Sequence, residues 1–144
     1  MMNQGRLTHI SSELAEWVQR SSPEQRSEGV RRVCILAVLH TGVTDRRIAE
    51  AMRFLERDDQ PDDTTVGDIA KLAEELDEKA WDLQEAEESG QGGDAEYSRA
   101  FAQARAVAAV AFALTRSTES DSDALYEAYH AINDHGTFMQ ELAK

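Results

Sequence analysis

Apolar residues recur at intervals of three and four in the middle of the chain, at Val66, Ile69, Ala73, Leu76, Ala80 and Leu83. This spacing follows the period of an α-helix and predicts that the six side chains share one face. Thr65 is expected to cap this helix at its start. Residues 58–64, which include Pro61, indicate an acidic loop before it.

The first third of the chain carries two further helix starts. Ser11 or Ser12 can cap a first helix that ends near Arg20. The second start is the run Ser22-Pro23-Glu24-Gln25, in which the serine can cap, the proline suits the first helical position and the glutamine can complete a capping box. Gly42 is expected to end this helix in the left-handed conformation.

Three more helices are expected at about residues 44–57, 94–115 and 121–136, capped by Thr44, Asp94 and Asp121. The helix over 94–115 is apolar on every side between Ala106 and Leu114, which is typical of a helix in the middle of a bundle. Helical spacing places one further set of its side chains on a single side: Tyr97, Phe101, Ala104, Ala108 and Phe112. Residues 137–140 indicate only a final short turn.

These signals together predict an all-α fold. We expect a single-domain helical bundle, residues 1–144, with about six helices around a central alanine-rich helix. Short connections predict that successive helices are mostly antiparallel. Flexible segments are expected at residues 1–8, 58–64 and 89–93.

The composition agrees with one globular domain, because 144 residues with a hydrophobic fraction of 41% are enough for a single core. The apolar run from Ala106 to Leu114 is too short to span a bilayer. Met1 to Ile10 lacks the apolar stretch of a signal peptide, so we expect a cytoplasmic protein. Cys34, the sole cysteine, lies in an apolar run and is expected to be buried rather than reactive.

The net charge of −13 is concentrated in one part of the chain. Nine basic and seven acidic residues precede the end of the third predicted helix at Arg57, whereas six basic and twenty-one acidic residues follow it. Most of the excess lies between Asp58 and Glu96, where fifteen acids accompany two lysines. A concentrated negative field of this kind repels nucleic acid and can attract a basic partner.

Much of this charge is predicted to lie on one face of the fourth helix, opposite its apolar stripe: Lys71, Glu74, Glu75, Glu78, Asp82 and Glu85. Trp81 falls at the edge of that face, where a large ring among carboxylates could anchor a basic protein. The candidate partner-binding residues are therefore Glu74, Glu75, Glu78, Trp81, Asp82 and Glu85. The alternative interpretation is a solvated helix face that only keeps the protein soluble.

A second interpretation concerns the segment over residues 42–57, which is similar to the turn and recognition helix of a helix-turn-helix. Four arginines on its outward side are the candidate DNA-binding residues of a regulator: Arg46, Arg47, Arg53 and Arg57. Whole-molecule repulsion opposes this hypothesis. The same arginines could instead pair with the acidic fourth helix, in this molecule or in a second copy of a homodimer.

The sequence contains no complete catalytic set and no phosphate-binding glycine loop, so we expect no enzyme activity, no metal and no cofactor. The spacing Glu127-x-x-His130 is half of a di-iron carboxylate motif whose other half is missing, and Glu127 is expected to face solvent. A third hypothesis is a small ligand-binding or metal-binding bundle with Tyr97, Tyr129 and Cys34 in its interior.

Several segments resemble a bacterial family of small all-helical immunity proteins. The resemblance is carried by Asp45-Arg46-Arg47-Ile48-Ala49-Glu50-Ala51, by Thr65-Val66-Gly67-Asp68, by the alanine-dense helix from Ala100 to Ala106 and by the tyrosine-containing helix from Ala124 to Ile132. It implies a bundle that neutralises a toxin by binding it. The leading hypothesis is therefore a non-enzymatic interaction protein of the immunity or antitoxin type, which binds a basic protein partner through its acidic helix face.

Overall fold

A computed structural model of the chain shows seven helices in the described residues, which are residues 7, 10–57, 59–90 and 94–144 without the side chains of Asp94 and Thr118. The helices are α1 (Ser12–Arg20), α2 (Pro23–Thr41), α3 (Arg46–Arg57), α4 (Asp63–Glu88), α5 (Asp94–Thr115), α6 (Thr118–Ile132) and α7 (His135–Leu142). The predicted all-α bundle is confirmed, with one helix more than expected. The predicted flexible end at residues 1–8, apart from residue 7, and residues 91–93 of the second predicted loop lie outside the described residues.

The first two helices begin and end where the sequence predicts. The hydroxyl of Ser11 accepts a hydrogen bond from the backbone N–H of Leu14 at 3.1 Å. Ser22 and Gln25 form a reciprocal capping box, with distances of 3.1 and 2.9 Å. Gly42 ends α2 with φ of 75°, a left-handed conformation that glycine adopts without strain.

Three predicted caps are wrong because a side chain elsewhere in the sequence accepts the free N–H groups. Asp45, rather than Thr44, precedes α3 and accepts the Arg47 N–H at 2.8 Å. Asp62 starts α4 three residues before Thr65, which shortens the predicted acidic loop.

Ser117 likewise starts α6 before Asp121 and accepts the Ser120 N–H at 3.1 Å. Asp134 caps α7, so that the predicted final turn is a helix of 8 residues. In each of these starts a short oxygen-bearing side chain satisfies a backbone donor at the helix end.

The alanine-rich helix α5 lies at the centre of the bundle, as predicted, and contacts α2, α3, α4 and α6. Its buried residues are mostly small: Ala100, Ala104, Ala106, Val107, Ala109, Val110, Ala113 and Leu114. Small side chains let four neighbouring helices pack closely around it. Although α5 is strongly apolar, no helix in the described part of the chain has the length and hydropathy of a membrane span.

The buried face of α4 is rotated slightly from the predicted stripe. Thr65, Ile69 and Leu72 are buried near the start of the helix, whereas Val66 is 40% exposed. The expectation that Val66 faces the core is therefore wrong. The side of α4 that faces the core passes through Thr65, Ile69 and Leu72, which are spaced by four and three residues, and Val66 lies beside that line. Further along, Ala80 is buried as expected.

The two short terminal helices close one side of the core near Gly29 of α2. Leu14 and Val18 of α1 and Leu142 of α7 are almost completely buried. A Cβ atom added to Gly29 would lie 2.6 Å from Cη2 of Trp17 and 2.9 Å from Cδ1 of Leu142. The absence of a side chain at this point of α2 therefore allows both neighbours to approach.

We expect Gly29→Ala to lower the free energy of unfolding by about 1–3 kcal/mol, although alanine is the better helix former, because its Cβ overlaps with Trp17 and Leu142. Urea unfolding followed by circular dichroism measures the change. Gly67→Ala in α4 is the matched control, since nothing lies within 4 Å of its added Cβ, and it should raise stability by about 0.5–1 kcal/mol. Stabilisation by both substitutions would contradict close packing at Gly29.

Candidate partner-binding surface

The acidic side chains predicted on one face of α4 are all exposed to solvent. We define the acidic face by these residues: Glu74, Glu75, Glu78, Asp82 and Glu85, with Lys71 beside them. The inward side of α4 packs on α5, and α3 contacts it from a second direction. The acidic face is therefore the free side of a helix whose other sides are held by the bundle.

Arg47 of α3 connects the acidic face to the rest of the bundle. Its guanidinium donates to both carboxylate oxygens of Glu75, at 2.8 and 2.9 Å, and to Asp45 at 3.0 Å. These hydrogen bonds hold the pKa of Glu75 and the pKa of Asp45 below their ordinary values. Of the predicted partner-binding residues, Glu75 is thus already paired within the molecule.

Arg105 of α5 makes the second connection and lies between two carboxylates. One nitrogen donates to Asp77 of α4, and another donates to Glu127 of α6 at 2.8 Å. Its guanidinium carbon also lies 5.4 Å from the ring centre of Phe101. Arg105 thereby joins three helices on one side of the bundle.

The expectation that Glu127 faces solvent is wrong, because this residue is only 6% exposed. Glu127 lies opposite the most apolar stripe of α6, but α5 and the guanidinium of Arg105 cover it. A buried carboxylate is tolerated when a cation compensates its charge. The sequence gives only a weak signal of this pairing, since Arg105 interrupts an otherwise alanine-rich segment.

Aromatic side chains of α4 and α5 reach the surface of the bundle. Trp81 is 62% exposed, and its indole N–H donates to Glu85 at 2.9 Å. Phe101 of α5 is 41% exposed, and its ring centre lies 6.1 Å from that of Tyr97. We call Trp81, Phe101 and Tyr97 the aromatic patch.

The register of α4 and α5 brings the members of the aromatic patch to similar heights along the helix pair. Asp77 of α4 contacts Arg105 of α5, so these two residues lie at the same height along the helix pair. Gln84 of α4 and Tyr97 of α5 line one cleft and mark a second height. Trp81 lies between Asp77 and Gln84 along α4. In antiparallel helices, Trp81 and Phe101 then lie at the same intermediate level. The sequence indicated the exposure of Trp81 but grouped Phe101 with inward residues such as Ala104.

The candidate DNA-binding arginines of α3 do not form a uniform free surface. Arg46, Arg53 and Arg57 are exposed, and Arg53 lies 3.5 Å from Glu50 of its own helix. Arg47, in contrast, is held by the two carboxylates described above. The predicted alternative, in which these arginines pair with the acidic helix of the same molecule, is therefore confirmed for Arg47.

The residues of the predicted ligand-binding interior have different neighbours. Cys34 is completely buried, its thiol lies 3.6 Å from the carbonyl oxygen of Ala109, and burial raises its pKa. Tyr97 belongs to the aromatic patch near the start of α5, about 18 Å along the helix from Ala109. Tyr129 packs against Phe138 instead.

Within the described residues, no group of three or more histidine, cysteine and acidic side chains is arranged to hold a metal ion. His130 packs edge-on against Tyr126 with ring centres 4.6 Å apart, as its spacing on the helix predicts. A polar chain that the sequence did not indicate runs from Glu13 of α1 through His135 to the hydroxyl of Tyr129, with distances of 2.9 and 3.0 Å. It joins α1 to α6 and α7.

Comparisons with protein-family models, with curated protein sequences and with solved structures each find no match to this chain. The resemblance to immunity proteins stays a prediction.

Arg47 gives stability a defined dependence on pH. Arg47 lowers the pKa of Asp45 and of Glu75. These two carboxylates therefore stabilise the folded protein above the unfolded carboxyl pKa of about 4. This stabilisation is lost as the pH falls through their lower folded pKa values. We expect Arg47→Gln to lower the melting temperature at pH 7 by about 2–4 °C. Differential scanning calorimetry should show this difference shrinking towards about pH 3.

The control is Arg57→Gln, which removes the same charge at the exposed end of α3. Arg57→Gln should lower the melting temperature only slightly, and this decrease should change little with pH. An effect of Arg47→Gln that is equal at neutral and acidic pH would contradict the role given to its two carboxylate partners.

We expect Arg105→Met to lower the free energy of unfolding by about 3 kcal/mol, because the buried carboxylate of Glu127 would lose its contact with the guanidinium of Arg105. Asp77→Asn, at the exposed end of the same network, should cost less than about 1 kcal/mol. The double variant Arg105→Met/Glu127→Gln should recover most of the loss. Chemical denaturation measures all three, and equal costs for Arg105→Met and the double variant would show that packing, not charge, is responsible.

Proposed function

We propose that this chain is a non-enzymatic interaction protein that binds a basic protein partner through the acidic face and the aromatic patch. The observation that carries the proposal is the 62% exposure of Trp81 beside exposed carboxylates of α4. Tryptophan in the centre of an interface contributes more binding energy than most residues. Surrounding carboxylates would select for lysine or arginine and increase the association rate.

Exposed apolar area next to this charge favours a protein partner over a simple counter-ion. On α5, Phe101 is 41% exposed and its ring lies beside that of the half-buried Tyr97, at the height of Trp81 along the helix pair. A charged surface that only maintains solubility has no need of large exposed rings, whereas protein interfaces are enriched in them.

The surface is also held in a fixed position. Arg47 binds Glu75 on one side of α4, and Arg105 binds Asp77 two residues further along. A rigid helix face loses little conformational entropy on binding. Together with the resemblance to immunity proteins, this supports an immunity or antitoxin role, in which occupation of a toxin's basic surface blocks its action.

The test compares partner binding by two variants of equal net charge. Glu74→Lys/Glu78→Lys/Asp82→Lys reverses the acidic face, whereas Glu16→Lys/Glu56→Lys/Glu119→Lys reverses three exposed acids on other helices. A protein captured from the native host extract is identified by mass spectrometry and purified. Its dissociation constant is then measured by calorimetry at two salt concentrations.

We expect the acidic-face variant to lose salt-sensitive binding and the control to retain it. Trp81→Ala should weaken binding by about thirtyfold without unfolding the protein, since Trp81 is an exposed hot-spot candidate. Equal binding by both charge variants would show that the acidic face only maintains solubility. Capture of DNA, lost on substitution of Arg46, Arg53 and Arg57, would support the regulator hypothesis instead.

A further inference from the structure

Helix α1 is attached to the bundle differently from the other described helices. The extensive backbone pairings between helices in the described residues involve α2 to α7, and none of them includes α1. Side chains hold it instead, because Leu14 and Val18 are buried and Trp17 lies where a side chain of Gly29 would be. Leu7, just before α1, is buried as well. We call α1 together with Leu7 the strap.

Both ends of α1 are capped from within the same stretch of chain. The hydroxyl of Ser11 accepts a hydrogen bond from the N–H of Leu14 at the start of the helix. At its end, the N–H and the hydroxyl of Ser21 both donate to the carbonyl oxygen of Trp17. These end groups therefore need no hydrogen-bond partner from the rest of the bundle.

The start of α2 is equally independent of α1. Its capping box consists of Ser22 and Gln25 alone, and Pro23 has no N–H to satisfy. Ser21 and Ser22 have extended backbone, with φ and ψ of −80° and 141°, and of −69° and 162°. Because proline disfavours the α conformation at the preceding residue, α1 and α2 stay separate helices. The two serines can therefore serve as a hinge that moves α1 without disturbing α2.

One polar side-chain contact links the strap to another helix within the described part of the chain. Nε2 of His135 in α7 lies 2.9 Å from a carboxylate oxygen of Glu13. These two side chains are 43% and 61% exposed, and a contact as exposed as this contributes little to stability. The strap is therefore held closed mainly by three buried apolar side chains: Leu7, Leu14 and Val18.

Burial and conformational entropy nearly balance in a segment of this kind. A helix of 9 residues is not stable alone in water, so α1 stays helical only while it is docked. Its few buried side chains must offset the entropy lost when the whole strap becomes ordered. Segments with few buried apolar contacts open at a lower free energy than the rest of a protein.

We propose that the strap is a hinged lid, which opens at Ser21 and Ser22 while α2 to α7 stay folded. Opening uncovers the surface around Gly29, which Trp17 covers in the closed form. This proposal does not depend on partner binding by the acidic face, because that face lies on α4 and α4 has no extensive contact with α1.

The test is native-state hydrogen exchange of the ¹⁵N-labelled full chain, followed by NMR under conditions in which reclosing is faster than exchange. The exchange rate of an amide then reports the equilibrium population of its open form. Hydrogen-bonded amides of residues 16–20 should share one opening equilibrium and exchange at least about tenfold faster than amides of residues 106–110 in α5. Equal protection in the two helices, or rates graded from one end of α1, would overturn the proposal.

Two matched substitutions to valine separate opening of the strap from global unfolding. Leu14 in α1 and Ile69 in α4 are both completely buried, and each loses one carbon atom as valine. Leu14→Val destabilises only the closed form and should speed exchange in both α1 and α5 by about fivefold.

Ile69→Val should speed exchange in α5 by about the same factor and leave the rates in α1 unchanged. The physical reason is that this substitution destabilises the closed and strap-open forms equally, so the equilibrium between them does not move. Acceleration of both helices by Ile69→Val would show that α1 opens only when the whole protein unfolds, and would overturn the proposal.

Discussion

The close packing of α5 against four other helices is the constraint on which the rest of the structure depends. Alanine and valine dominate its buried surface, so neighbouring helix backbones approach closely and little room remains for polar side chains. Charged groups must therefore lie at the joints between helices or on their outer sides. Arg105 illustrates the position between helices, because it binds carboxylates of α4 and α6.

Three arginines occupy such joints, whereas the excess of acidic residues lies on an outer side. Arg47, Arg105 and Arg26 contact acids on other helices or at helix starts, whereas the acids in excess remain on the outer side of α4. The net charge of −13 describes this outer surface more than the joints.

The features that could be predicted from sequence depend on neighbours along the chain. Helical spacing predicted the central position of α5, and local cap chemistry predicted the bounds of α2, which depend on Ser22 and Gly42. Competing caps such as Asp62 and Thr65 could not be ranked, because both are good acceptors three residues apart. The burial of Glu127 depends on its contact with Arg105 of a different helix, about which helical periodicity contains no information. In the candidate surface, helical periodicity was enough to predict the acidic face. The position of Phe101 beside Trp81 along the helix pair depends instead on the register of α4 and α5, which the sequence does not contain.

Complete burial of the thiol of Cys34 between α2 and α5 has a consequence for chemistry in solution. Its raised pKa keeps it protonated, and the surrounding side chains exclude reagents. A thiol-specific reagent reaches this sulfur only when the two helices separate, so the rate of its modification in native conditions records how often the core opens. The same inertness means that a cysteine introduced elsewhere on the surface would accept a spectroscopic label alone.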